Sequence, residues 1–267
     1  MSTRWLTRKR LLQEVPKKLL PVETLLDIGC GIRPQQNIRP MVHICCEPFD
    51  QYVKVLKKTI ENKKDRTYIV IKASWQDAVK MFLPRSVDTI FLGDVIEHLE
   101  KKEGRRLLKA SEKIARSQII ISTPLGFLSQ KHYGKKDAWG MSGGHFQEHL
   151  SGWDLGDFDE TWQLFACKNF FQKDNLGKSL DKPHGKLWAI KNINSKSTTF
   201  SEADQIFLGQ MRDICLCPNL FNVFSKNLML ASSSFNTRRS VKIILNFYKF
   251  IHFWERSYLK IKKYFKV

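Results

Sequence analysis

Several common signatures are missing from this sequence, and each absence narrows what the chain can be. None of the six cysteines (Cys30, Cys45, Cys46, Cys167, Cys215 and Cys217) stands in a C-x-x-C pair, so a zinc ribbon is not indicated. Several lie inside apolar runs, as free thiols packed in a core do, and this reads as a reducing, cytosolic compartment. No window of 18 apolar residues occurs, which predicts no bilayer-spanning helix. The stretch MSTRWLTRKRLLQEVPKK is basic, yet it has neither a sustained apolar core nor a small-residue cleavage site, so it is not expected to be a secretion signal. There is no internal repeat. Acidic residues are scarce beside basic ones, 26 against 45, for a formal net charge of +19. Such a surface attracts phosphates on nucleic acid, on anionic lipid or on an acidic substrate. No RNA-binding module signature accompanies the charge.

What is present supports a folded core. Hydrophobic residues make up 42% of the 267 positions, enough for one full domain and a smaller addition. Residues 5–19 read as a basic amphipathic helix, interrupted near Pro16. Short apolar runs then recur at 24–28, 41–46, 67–71, 87–92 and 118–122. Helical patterns lie between them at 51–62, 75–81 and 103–115. Apolar runs alternating with helices predict βαβ units and a mostly parallel sheet. Strands buried on both faces are continuously apolar, as these are. Beyond Pro124, residues 125–153 are rich in glycine, aromatics and histidine and read as a functional lid loop. A short helix is expected over 154–161 with Asp154 as its N-cap. Two further strands, 163–171 and 186–190, frame QKDNLGKSLDKPHG as a hairpin loop.

The stretch ETLLDIGCGIRPQ, residues 23–35, ends a strand on an acid and follows it with two glycines. In an open α/β sheet, ligands bind at the carboxyl ends of strands. A dinucleotide fingerprint would need G-x-G-x-x-G, but Pro34 stands where the third glycine belongs, which disfavours NAD. A carboxylate at Asp27 repels a diphosphate and suits an ammonium or a sulfonium. A second acid, Glu47, ends the next strand, where a carboxylate can accept both ribose hydroxyls. A ribose, an adenine and a cation without phosphate describe S-adenosylmethionine.

The motif D-I-G-C-G, the strand-end Glu47 and VDTIFLGDVIEHLEKKEGRRLL together resemble the class I S-adenosylmethionine-dependent methyltransferases over roughly 20–194. The stretch from IIISTPLGFLSQ to WGMSGGHFQEHLSGW is similar to a bacterial subgroup associated with surface-polysaccharide and lipid-linked glycan pathways. The resemblance implies a Rossmann-like seven-stranded α/β sheet, mostly parallel with an antiparallel hairpin strand, and a helical C-terminal extension. It implies that Asp27, Gly29 and Gly31 line the methionine end and that Glu47 holds the ribose. Ser74 stands where the family has an acid near the adenine, and Trp75 is a candidate to stack on the purine. Asp94 would face the methyl group and the acceptor. An O-acceptor needs a general base, for which His98, His145, His149 and Asp94 are the candidates, with Glu97 as an alternative. His145-Phe-Gln-Glu148-His149 also spells the H-x-x-E-H pattern of some zinc proteases. With glycines before it and Ser151-Gly152 after it, no metal site is expected there.

The expected organisation is a basic helix over 1–20, a catalytic domain over 21–194, a linker over 195–205 and a basic helical extension over 206–267. Residues 238–267 carry nine Lys or Arg and one acid. Their basic stripe against an aromatic-rich apolar face suits either a helix lying on an anionic membrane or one packed on the domain. The reading is a cytoplasmic protein, with peripheral attachment to the inner membrane face as one option. Its acceptor is a small molecule or glycan. RNA methylation and a non-catalytic binding module on the same fold are the alternatives.

Overall fold

The computed structural model describes residues 3–130, 136–175 and 177–193. The expected linker and basic extension, 195–267, lie outside the described residues.

Eight strands form one sheet: β1 (Thr3–Trp5), β2 (Thr24–Ile28), β3 (Val42–Glu47), β4 (Thr67–Lys72), β5 (Val87–Gly93), β6 (Ala115–Leu125), β7 (Trp162–Lys173) and β8 (Ser179–Asn192). Their order across the sheet is β1-β7-β8-β6-β5-β2-β3-β4. Strand β8 runs antiparallel to both β6 and β7, and every other neighbouring pair is parallel. The alternating pattern predicts the mostly parallel sheet, and the resemblance implies its Rossmann-like form with an antiparallel hairpin strand.

Successive residues of the central strands serve two different cores, as the two-residue period of a strand requires. Leu26, Ile90, Leu92, Ile119 and Ile121 face one cluster, which helices α3 (Trp75–Met81) and α4 (Lys101–Ile114) cover. Leu25, Phe91 and Ile120 face the other, which Leu11 and Val15 close. Helix α4 buries Gly104, Leu107, Leu108, Ser111 and Ile114, a stripe at helical spacing. Helix α2 (Asp50–Ile60) buries Tyr52, Val53 and Leu56.

Four expectations differ from the structure. The expected seven strands are eight, because Thr3–Trp5, expected to lead into a helix, pairs in parallel with Leu164–Ala166 on the sheet edge. The helix that follows is short, α1 (Arg8–Glu14), capped by the Thr7 side chain. Over 154–161 only one 3₁₀ turn forms, Leu155–Asp157. The hairpin loop expected over 172–185 contracts to 174–178, since β7 and β8 continue pairing through Phe171 opposite His184 and Lys173 opposite Ser179. Pro183 falls in the irregular stretch between those two pairs, where a proline is tolerated.

Candidate functional site

Strand order reverses between β2 and β5, and the carboxyl ends of those strands border a crevice, the usual ligand position in this architecture. The turn after β2 contains Gly29 at φ +69° and Gly31 at φ +60°. Both angles are costly for a residue with a Cβ. A Cβ on Gly29 would stand 2.9 Å from the Val95 side chain, and one on Gly31 would stand 3.1 Å from the Trp139 ring. The turn is therefore bare backbone, tied back by Gly29 N–H donating to the Cys46 carbonyl at 2.8 Å.

The two strand-end acids are both nearly buried, at 2% exposure for Asp27 and 4% for Glu47. Asp27 Oδ2 accepts the Gln35 N–H at 2.9 Å and pairs with His43 Nε2 at 3.0 Å. Glu47 Oε2 accepts the Gly31 N–H, and its Oε1 accepts the Phe49 N–H, each at 2.9 Å. Burial pushes the Glu47 carboxyl up, and those two N–H donors counter it. Asp27 lines a crevice of about 370 Å³, together with Arg33, Asp94, Phe171, Lys186 and Trp188. That volume lies within the small-molecule range.

Beneath the turn, His43 is fully buried. Burial acts to lower its pKa, but the Asp27 carboxylate and the nearby Cys45 prevail and raise it to about 9. Its Nδ1 makes no hydrogen bond of ordinary geometry, and Cys45 lies alongside. The Cys30 thiol, burial opposing and His43 assisting, lowers Cys45 to about 7.

Asp94 follows β5 with φ +54°, a left-handed backbone uncommon outside glycine. Its carboxylate pairs with the buried Lys186 ammonium from β8. Three residues on, Glu97 is 2% exposed. Burial and the Asp94 charge, opposed by Lys186, raise Glu97 to about 8. Thr123 donates its hydroxyl to Glu97 Oε2 at 3.0 Å. The His98 and His149 rings stand 4.9 Å apart. Burial and the His98 neighbour push His149 down to about 4.

His98 and His149 thus meet, and His145 does not join them. Its ring lies 4.0 Å from Phe146 and 6.3 Å from Phe49, two residues past the Glu47 strand end. Residues 144–146 form a 3₁₀ turn rather than an α-helix, so the H-x-x-E-H spacing has no helix to align its ligands. Ser74 caps α3, accepting the Asp77 N–H and donating its hydroxyl to the Asp77 carboxylate. Trp75, expected to stack on a purine, packs partly against the core.

The loop around Asp137 is latched to α2. Tyr52 donates its hydroxyl to Asp137 Oδ2 at 2.5 Å, and the Asp137 carboxylate also accepts N–H groups from Trp139, Met141 and Gly143. Trp139 reaches from this knot to Gly31 and Tyr52. Sequence reasoning missed Lys186, His43, Tyr52 and Asp137. Two of these had a signal: a lysine opening the apolar run 186–190 and a histidine inside the run 41–46 each need a buried partner.

No protein-family profile matches this chain, and neither does any curated protein. Solved structures do. A cyclopropane synthase from Mycobacterium tuberculosis is 22% identical at a TM-score of 0.34, over 41% of this chain and 39% of its own. This chain thus spans about two-fifths of that protein. A SAM-dependent methyltransferase from Archaeoglobus fulgidus is 14% identical at 0.42, over 69% and 92%. One from Leishmania major is 15% identical at 0.45, over 69% and 70%.

Proposed function

We propose that this chain is an S-adenosylmethionine-dependent methyltransferase of class I that methylates a hydroxyl on a small molecule, a glycan or a lipid-linked glycan. The observation that carries the reading is a pair of buried carboxylates, Asp27 and Glu47, at the ends of adjacent parallel strands around one bare glycine turn. The donor set fits this cofactor. Two acids beside a turn with Pro34 at its third position offer no pyrophosphate cradle, but they match an ammonium and a pair of ribose hydroxyls.

When bound, the cofactor supplies an activated methyl group for in-line transfer. Asp27 would hold the ammonium end, with its carboxylate fixed by His43 and the Gln35 N–H. Gly29 and Gly31 would admit close approach of the ligand to backbone. Glu47 would accept the ribose hydroxyls, and Ser74 and Trp75 would flank the adenine. Asp94 would face the acceptor, with Lys186 holding its carboxylate in place. That carboxylate would take the acceptor's proton. The apolar and aromatic walls from Phe171 and Trp188 would exclude water from the transfer. In this reading residues 21–194 carry the reaction, and 206–267, joined by the linker 195–205, hold the enzyme at an anionic membrane.

Two measurements test it. Calorimetric titration of S-adenosylmethionine should show binding to the wild type that weakens tenfold or more in Asp27→Ala and in Glu47→Ala. A wild type that does not bind leaves a non-catalytic module as the remaining reading. Isotopic methyl transfer into fractionated cell extract should label glycan or lipid. Label entering RNA instead would replace the acceptor assignment with the one that the net charge favours.

A further inference from the structure

Glu97, His98 and His149 come from segments some fifty residues apart, yet each offers a ligand atom, and these atoms lie within 4.8 Å of one another. The backbone brings them together. The Leu150 and Ser151 N–H groups both donate to the Glu97 carbonyl, at 2.8 and 3.1 Å, and pin the end of the lid against the turn after β5.

The hydrogen bonds around the cluster orient every ligand. His98 Nδ1 lies 3.0 Å from the Glu148 carbonyl, and His149 Nδ1 lies 2.6 Å from the Leu128 carbonyl. A carbonyl only accepts, so each Nδ1 carries a proton, and Nε2 is the atom each neutral ring can offer a metal. This is the outer-sphere arrangement that metal-bound histidines use. Glu97 completes the set. Its Oε2 is taken by Thr123, while Oε1 is buried without a hydrogen-bond partner. A buried carboxylate oxygen with no donor is expensive unless a cation or proton meets it.

We propose that Glu97, His98 and His149 bind one divalent transition-metal ion on the acceptor side of the crevice. Two imidazoles and one carboxylate favour manganese, iron, cobalt or zinc over magnesium or calcium, whose ligands are oxygens. Donors around such an ion at ~2.1 Å stand roughly 3.0–3.5 Å apart, so the cluster, its atoms within 4.8 Å, closes by at most about 1.8 Å on binding. Three protein ligands leave coordination positions open. Asp94, which lines the crevice, precedes Glu97 by three residues. An acceptor hydroxyl entering beside it would reach an open position and lose its proton to the Asp94 carboxylate more readily. That last step rests on the methyltransferase reading; the metal site does not.

A second cluster, Asp27, His43 and Cys45, also has metal-ligand spacing. It is a weaker candidate, because Asp27 Oδ2 is already satisfied by Gln35 and His43, and His43 and Cys45 are fully buried.

The test is calorimetric titration of Mn²⁺, Zn²⁺ and Co²⁺ into chelator-stripped full-length protein, with visible absorption for bound Co²⁺ and S-adenosylmethionine binding measured separately. One ion per chain is expected. Its affinity should fall at least tenfold in Glu97→Gln and in His149→Asn, whose amide retains a donor toward the Leu128 carbonyl and so protects the fold. Cys45→Ser should leave metal affinity unchanged, as should His145→Ala. The proposal is overturned by absence of stoichiometric binding, by binding indifferent to both cluster variants, or by binding that follows Cys45→Ser. Metal binding without cofactor binding would remove the methyltransferase reading and leave the metal site standing.

Discussion

Asp27 and His43 form an ion pair that burial opposes and proximity sustains, and its energetics are readable through pH. His43 has a folded pKa of about 9 against an ordinary 6.5, so its protonation stabilises the fold fully below pH 6.5 and is lost as pH rises to 9. Cys45 is lowered from 9 to about 7, so its ionisation adds stability over pH 7 to 9, in the opposite direction. The Tyr68 ring, 5.5 Å away, closes the remaining side of His43. The two titrations offset each other, so this pair leaves wild-type stability nearly level from pH 7 to 9, while Glu97, raised to about 8, adds the same fall to wild type and variant. Cys45→Ser removes one of them. Its unfolding free energy, followed by urea denaturation, should then fall between pH 6.5 and 9 by on the order of 1–2 kcal/mol more than the wild type's. A variant as level as the wild type would show that His43 is not charged.

At the scale of elements, two packing contacts govern the site. Helix α4 passes over Trp153 at Gly104, where a Cβ would lie 2.4 Å from the indole ring. Alanine ordinarily favours a helix interior over glycine by ~1 kcal/mol. Here Trp153 is fully buried and its Nε1 donates to the Ile96 carbonyl, so the ring cannot yield. Overpacking outweighs propensity, and Gly104→Ala should destabilise by about 1–3 kcal/mol in thermal unfolding. The second contact is the latch between α2 and the lid. Tyr52→Phe removes one donor from the Asp137 carboxylate, at a cost of roughly 1.5–3 kcal/mol for a charged partner. Amide exchange at 137–143 should quicken in this variant while α4 stays protected. Uniform quickening would mean that the latch supports the whole fold instead.

For the whole molecule, the N-terminal segment is part of the sheet. Strand β1 covers the edge of β7, which otherwise presents unpaired backbone groups. Leu11, fully buried on α1, packs with Phe165, Trp188 and Ile120 in the core on that face. Leu11→Ala should cost about 2–5 kcal/mol, measured by denaturant unfolding. A cost below 1 kcal/mol would mean that α1 is only loosely attached. The face matters to the site, because Leu12, the next residue, borders the crevice together with Trp188.

The sequence alone was enough for the elements and for the two acids. The runs at 24–28 and 87–92 became β2 and β5 within a residue or two, because a parallel strand buried on both faces must be apolar throughout, and 67–71 became the half-exposed edge strand β4. Asp27 and Glu47 stood out because charge at the end of such a run has no packing explanation. Thr3–Trp5 was not legible as a strand, since three residues carry no period and the partner edge lies 160 positions away. Only the tertiary structure decided which histidines meet. His145 and His149 are four residues apart in the chain but separate in space. His98 and His149, fifty apart, share one cluster with Glu97. Periodicity reports which side of an element is buried. Contacts between distant segments arise only when the chain closes on itself.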